Sequence, residues 1–131
     1  MAMMAAIFPY AATTGAVTVR VAPRYLPDQS DDDRGYHVWA YQVRIENAGD
    51  TAVQLLGRRW IITDAEGQVE EVAGDGVVGV QPVIGPGQAY DYVSGCPLRS
   101  ASGSMTGQYT MLGHGVRFDV AIPAFALALP R

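Results

Sequence analysis

The residues whose types and spacing invite chemistry are few in this chain of 131. Gly74, Gly76 and Gly79 spell G-x-G-x-x-G, the spacing with which a Rossmann unit turns backbone amides and a helix N-terminus toward pyrophosphate. No helix can follow here, because Val80-Gln81-Pro82-Val83-Ile84-Gly85-Pro86 carries two prolines and a glycine where its first turns would lie. The dinucleotide reading fails and two others stay open. One is a helix-free nest of amides that binds a nucleotide or pyrophosphate; the other is a structural loop whose glycines supply positive φ and close packing. Arg58 and Arg59 point to opposite faces of a regular strand. They are either surface arginines in ion pairs, or one of them supplies a fork that grips a carboxylate or phosphate beside the glycine loop. The candidate ligand-binding residues are therefore Gly74, Gly76, Gly79, Arg58 and Arg59.

Other candidates carry less. Ser94-Gly95-Cys96 offers a thiol, but Pro97 follows at once, no helix start lowers the thiol pKa, and His37 and His114 are the only imidazoles. Cys96 reads as a small, partly buried apolar residue. His37 is in phase with Trp39 and Tyr41 and reads as a satisfied strand histidine, while His114, between Gly113 and Gly115, reads as an exposed turn residue. Asp28, Asp31, Asp32 and Asp33 lack the glycine and terminal glutamate of a calcium loop and read as a solvated acidic loop. No catalytic residue, metal site or cofactor is expected.

The elements that must position these residues are strands. Val17, Val19 and Val21 alternate with Thr18 and Arg20, and Trp39, Tyr41, Val43 and Ile45 share one face of a longer strand. The apolar phase changes between Val53, Leu55 and Trp60, Ile62, which predicts a bulge near Gly57. Val69 to Val72, a strand ending near Ser94 with Tyr90 and Tyr92 on one face, Met105 to Met111, and Val116 to Ile122 followed by Phe125 to Leu129 complete about seven or eight strands. The fold class predicted is all-β, an immunoglobulin-like or fibronectin type III-like sandwich. Residues 1–14 are expected to be a loosely ordered apolar tail and 15–131 a single domain. The tail has no cationic start and contains Pro9, so it reads as neither a targeting signal nor a membrane span.

Hydrophobic residues make up 49% of the chain and charged ones 17%, which suits one globular core. All nine cationic residues are arginines, they are scattered, and the formal charge is -4. Nucleic acid and anionic membrane surfaces are poor partners for such a chain. The single cysteine allows no internal disulfide and makes the cytoplasm the default location.

Several strings together resemble one family. They are Val43-Arg44-Ile45-Glu46-Asn47, Arg58-Arg59-Trp60-Ile61-Ile62-Thr63-Asp64, Gly74-Asp75-Gly76-Val77-Val78-Gly79-Val80-Gln81-Pro82, Tyr92-Val93-Ser94-Gly95-Cys96-Pro97-Leu98, Gly103-Ser104-Met105-Thr106-Gly107-Gln108-Tyr109 and Phe118-Asp119-Val120-Ala121-Ile122-Pro123-Ala124-Phe125. Their order over about residues 17 to 129 is similar to that of the bacterial ApaG, or CorD, proteins, whose domain also occurs within some eukaryotic F-box proteins. The resemblance implies a fibronectin-type sandwich, an association with cobalt tolerance and magnesium transport, and in the F-box relatives a domain that holds partner proteins. The function expected is a non-catalytic module that binds a protein partner; the alternative is a sensor of nucleotide or pyrophosphate at residues 74–79.

Overall fold

The period-two alternation is realised as nine strands in a computed structural model that describes Met4 and residues 7–130: β1 (Tyr10–Thr14), β2 (Val17–Tyr25), β3 (His37–Asn47), β4 (Val53–Asp64), β5 (Val69–Asp75), β6 (Val83–Ile84), β7 (Ala89–Leu98), β8 (Gly103–Gly113) and β9 (Val116–Leu127). One sheet has the order β1-β2-β3-β7 and the other β5-β4-β8-β9, with β6 also paired to β4. Every pairing is antiparallel. β3 and β4 lie in different sheets, as do β7 and β8, so the chain crosses repeatedly between the layers. β2, β3 and β7 facing β5, β4, β8 and β9 make a fibronectin type III-like sandwich, with β1 added outside β2.

The inner faces follow from side-chain alternation. Trp39, Tyr41, Val43 and Ile45 are buried, and Val17, Val19 and Val21 beside them are buried too. Across the layers Tyr41 meets Trp60 and Phe125 at ring-centroid distances of 5.2 and 5.8 Å, and within the second sheet Trp60 meets Tyr109 at 6.4 Å. This aromatic cluster fixes how the sheets stack, each tilted contact adding about 1 kcal/mol to the burial itself. The predicted bulge is present, since the β4–β8 register shifts between Leu55 and Gly57. A second shift, between Met105 and Gly107 on β8, reconciles Val120 and Ile122 with Phe125 and Leu127. Pro123 lies within that bulge, one of the few interior strand positions that tolerate a missing amide.

Two boundaries differ from the sequence reading. Tyr10–Thr14, expected in the loose tail, forms β1, paired from Tyr10↔Val21 to Thr14↔Val17, and Phe8 before it is buried. The rest of the tail, residues 1–3, 5 and 6, lies outside the described residues. The strand expected to end near Ser94 continues to Leu98. Pro97 does not stop it because its partner is Val38, whose amide bonds Ser30 Oγ at 2.9 Å; this rung needs no amide from the proline.

Asn47, which the sequence marks only as a turn signal, ties the end of β3 to the turn before β4 and to β6. Its buried side-chain amide donates to Thr51 O (2.8 Å) and Ile84 O (3.0 Å), and its Oδ1 accepts from the Gly49 amide (2.9 Å). The two lateral sides of the sandwich are finished differently. On one side β1 packs on β9: Tyr10 lies 6.0 Å from Phe125, and Thr14 Oγ1 accepts from the Ala121 amide at 3.0 Å. On the other side β7 and β5 end their sheets without a further strand among the described residues.

Candidate binding cleft

Which backbone groups stand free on the open side follows from alternation. The Asn47 amide donates to Gln88 O at 2.9 Å and the Gly87 amide to Asn47 O at 2.8 Å, so odd-numbered residues of β3 bond toward β7. Their partners are Tyr90, Tyr92, Ser94 and Cys96. Ala89, Asp91, Val93 and Gly95 therefore turn their amides and carbonyls outward, where no strand of the described residues covers them. The same argument holds for β5, where the Asp64 amide donates to Gln68 O and Glu70, Val72 and Gly74 face β4.

Between these two edges lies a cleft of about 310 Å³. Its floor is Tyr41, Trp60 and Met105; β7 supplies Ser94 and Cys96, and β5 supplies Glu70 and Val72. Arg58 is in phase with Trp60 and Ile62 and so enters from β4. Its guanidinium lies flat over Gly74, about 3.0 Å from where a Cβ there would stand, and Nη1 donates to Asp75 O (2.9 Å) and Gly76 O (3.0 Å). The absence of a side chain at position 74 is what gives the guanidinium room. Behind Arg58 the Tyr92 and Tyr109 hydroxyls share a short hydrogen bond. Burial is the main reason that the phenols of Tyr41, Tyr92 and Tyr109 titrate above the ordinary tyrosine range.

The glycine loop has a different form from the anion nest considered above. The Gly76 amide donates to Leu56 O at 2.8 Å, and Val77 and Val80 exchange backbone bonds of 2.8 and 3.0 Å. Val78 (φ 47°) and Gly79 (φ 77°) are both left-handed, so residues 77–80 form a two-residue hairpin of the I′ kind. Gly76 is required by contact, since a Cβ there would stand 2.3 Å from Val80 O. The loop presents the Asp75 and Gly76 carbonyls to Arg58, while the Gly76 and Val77 amides are already bonded; they do not converge on an anion. Arg59 sits on the opposite face, as expected for its neighbour's partner in alternation, and its Nε pairs with Glu71. Gly74 and Arg58 are thus brought into contact beside the cleft, Gly76 and Gly79 shape the loop beyond it, and Arg59, whose side chain is on the other face of β4, joins Arg58, Gly74 and Arg117 in lining a second, more open hollow of about 460 Å³.

Comparison with known proteins settles the family. A family model for the ApaG domain matches residues 27–113. The chain belongs to the ApaG family. It is 54% identical to Protein ApaG of Mesorhizobium japonicum over 122 residues, covering 92% of this chain and 94% of that one. It is 55% identical to Protein ApaG of Paramagnetospirillum magneticum over the same length and coverage. A crystal structure described as that of an ApaA protein from Bordetella pertussis superposes with a TM-score of 0.85 at 50% identity, covering 88% of this chain and 94% of that one.

The remaining candidates in this ApaG chain are accounted for by their neighbours. Burial, with the Glu70 carboxylate as a lesser cause, pushes the Cys96 thiol up to about 11. It is a poor nucleophile at neutral pH. His37 is buried, with Nδ1 3.1 Å from Tyr25 OH, and His114 Nε2 lies 2.9 Å from Thr51 Oγ1 in the exposed β8–β9 turn. Asp31 caps the short 3-10 turn Asp32–Arg34 by accepting from the Arg34 amide, and the acidic loop around it is exposed. Among the described residues no group of three or more His, Cys, Asp or Glu side chains is arranged to hold a metal ion, and no helix is long and apolar enough to cross a membrane. Glu70 and Val72 were not singled out in the sequence; the signal available was Gly74, whose missing side chain admits Arg58 across the β4–β5 ladder.

Proposed function

We propose that this ApaG chain is a non-catalytic module that binds a protein partner in the cytoplasm, using the open side of the sandwich. One observation carries the reading: two strand edges without a partner strand among the described residues flank an aromatic-floored cleft, while the opposite side is sealed by β1 and β9. Unpaired edges beside a pocket are what strand-adding recognition domains offer, with main-chain bonds for affinity and pockets for selectivity. The thiol pushed up to about 11 and the two histidines engaged with Tyr25 and Thr51 support a binding rather than a catalytic role. A link to divalent cations would then pass through the partner.

The test is site-specific photo-crosslinking in a bacterium that carries the protein. A benzophenone side chain at Val93, on the open edge, is expected to capture one discrete protein, and the same group at Arg20, on the far face, to capture none. The reading falls if no surface position yields a discrete adduct. It also falls if ATP, ADP or pyrophosphate at tens of micromolar raises the melting temperature, an effect that would restore the nucleotide alternative.

A further inference from the structure

We propose that the cleft receives an extended segment of the partner protein that lies antiparallel to β7 and carries a basic, an apolar and an acidic side chain at alternate positions, read from its N-terminus. This rests on the binding-module reading and specifies what that module recognises. The main-chain half of the site is the outward row Ala89, Asp91, Val93 and Gly95 on β7, whose amides and carbonyls have no strand partner among the described residues. Val93 is 58% exposed beside them. Pro97 offers no amide and ends this row, which limits an added strand to about seven residues at ordinary strand spacing.

The side-chain half is the inner face of β5. Glu70, Val72 and Gly74 occupy alternate positions there, and Gly74 is overlaid by the Arg58 guanidinium. The row therefore reads acid, apolar, cation at strand spacing, about 6.7 Å per step. A strand added to β7 extends that sheet across from β5 and repeats with the same step, so three successive inward side chains meet these three groups in turn. Neither charge is matched among the described residues: Arg58 donates to the Asp75 and Gly76 carbonyls and has no carboxylate of those residues within ion-pair distance, and Glu70 has no cation of those residues within it. Two unmatched opposite charges on the wall of an apolar-floored cleft select complementary charges in an occupant, more through specificity than through raw affinity.

The direction of the segment follows from β7. The C-terminal end of β7 lies at the Glu70 end, since Pro97 and Leu98 share a hollow with Ile62 and Glu70 and the Ala65 amide donates to Ser100 Oγ at 3.1 Å just beyond the two strands, so Tyr92 lies toward the Arg58 end. Every pairing in the molecule is antiparallel, and antiparallel ladders are the more stable per residue. An antiparallel segment enters at the Glu70 end and leaves at the Arg58 end, which gives Lys or Arg, then an apolar residue, then Asp or Glu, each separated by one residue. A second copy of β7 does not fit, because its own inward row is Tyr90, Tyr92, Ser94 and Cys96, without charge and packed toward its own core.

The experiment uses the full chain and two capped synthetic peptides, Thr-Lys-Thr-Val-Thr-Glu-Thr and its reverse, with tryptophan emission and amide chemical shifts as readouts. The first peptide is expected to shift the Val93 and Glu70 amides and the Trp60 emission, and to bind at least about tenfold tighter than the reverse. Val93→Pro removes an outward amide alone and is expected to weaken binding by about the same factor. Glu70→Lys alters an exposed side chain and is expected to transfer preference to Thr-Glu-Thr-Val-Thr-Glu-Thr, which keeps the test decisive if the proline variant does not fold. Equal binding of both orders, no shift with any peptide, or a dimer in sedimentation that Val93→Pro dissociates would each overturn the proposal. A crosslinked partner that maps to another face would overturn it too, while leaving the binding-module reading intact.

Discussion

The two lateral sides of this sandwich meet the same physical problem, the exposed strand edge, in opposite ways. On the β1–β9 side, side chains stand in for missing strands: Thr14 Oγ1 takes the Ala121 amide at 3.0 Å, Tyr10 OH takes the Ala126 amide at 3.4 Å, and the Tyr10 ring covers Phe125. On the β5–β7 side the edges stay open and are guarded by charge and proline. Asp91 pairs with Arg44 at 2.8 Å, Glu71 with Arg59, and Pro97 interrupts the row. Such devices discourage indiscriminate edge-to-edge pairing without filling the edge. A sandwich of this size thus needs only one sealed side to hold its core.

The sharpest way to break that comparison is to remove the seal. Tyr10→Ala should cost about 2 kcal/mol, from lost burial of the half-buried ring against Phe125, read as a fall in the urea midpoint at unchanged slope. Smaller is the effect of alkali on the open side, where the Cys96 thiol and the Tyr41 phenol line the cleft. Below pH 9 the Cys96 thiol is protonated whether the chain is folded or not. Between 9 and about 11 the unfolded chain releases the proton that the folded chain keeps, so stability falls as pH rises. The raised phenols of Tyr41, Tyr92 and Tyr109 extend the loss above pH 10. The melting temperature should drop by about 5 °C or more between pH 8 and 11, and Cys96→Val should flatten the lower part of that decline.

Tyr92→Phe should cost about 1 to 2 kcal/mol by leaving the buried Tyr109 hydroxyl without its partner, and adding Tyr109→Phe should restore part of the loss; a double-mutant cycle measures it. The smallest effect belongs to the open edge itself. Val93→Ser should change stability by no more than about 0.5 kcal/mol in the same urea assay. Hydrogen exchange sharpens the contrast further, because amides of Ala89, Asp91, Val93 and Gly95 should exchange faster than those of Tyr90, Tyr92, Ser94 and Cys96.

Much of this fold was legible in the chain. The phase of Trp39, Tyr41, Val43 and Ile45, and the slip at Gly57, specify a half-buried strand and a bulge by local alternation alone. β1 was missed because Tyr10 to Thr14 lacks a buried apolar face; it is a strand only because β2 and β9 lie beside it. β7 was cut short at Ser94 because a proline in a strand is harmless only at an edge, and which strand is an edge is decided by the pairing of distant segments. For the same reason Arg58 could be singled out but not placed. Its partners Asp75 and Gly76 are 17 and 18 residues away, and Glu70 and Val72 gain meaning only when β5 pairs with β4.

The alternation of strands between layers also dictates when this chain can fold during synthesis. The first sheet waits for β7, which ends at Leu98, and the second waits for β9, which ends at Leu127. The aromatic centre draws Tyr41, Trp60, Tyr109 and Phe125 from four strands spread along the chain. Neither layer has all its strands before Leu98, and the first has no complete layer to pack on until β9 has emerged, so a nascent chain carries exposed apolar strand faces through most of its synthesis. A stall or truncation before Leu98 would release a polypeptide with both sheets incomplete, and one between Leu98 and β9 a polypeptide whose second sheet lacks its last strand, in either case a natural client for chaperones.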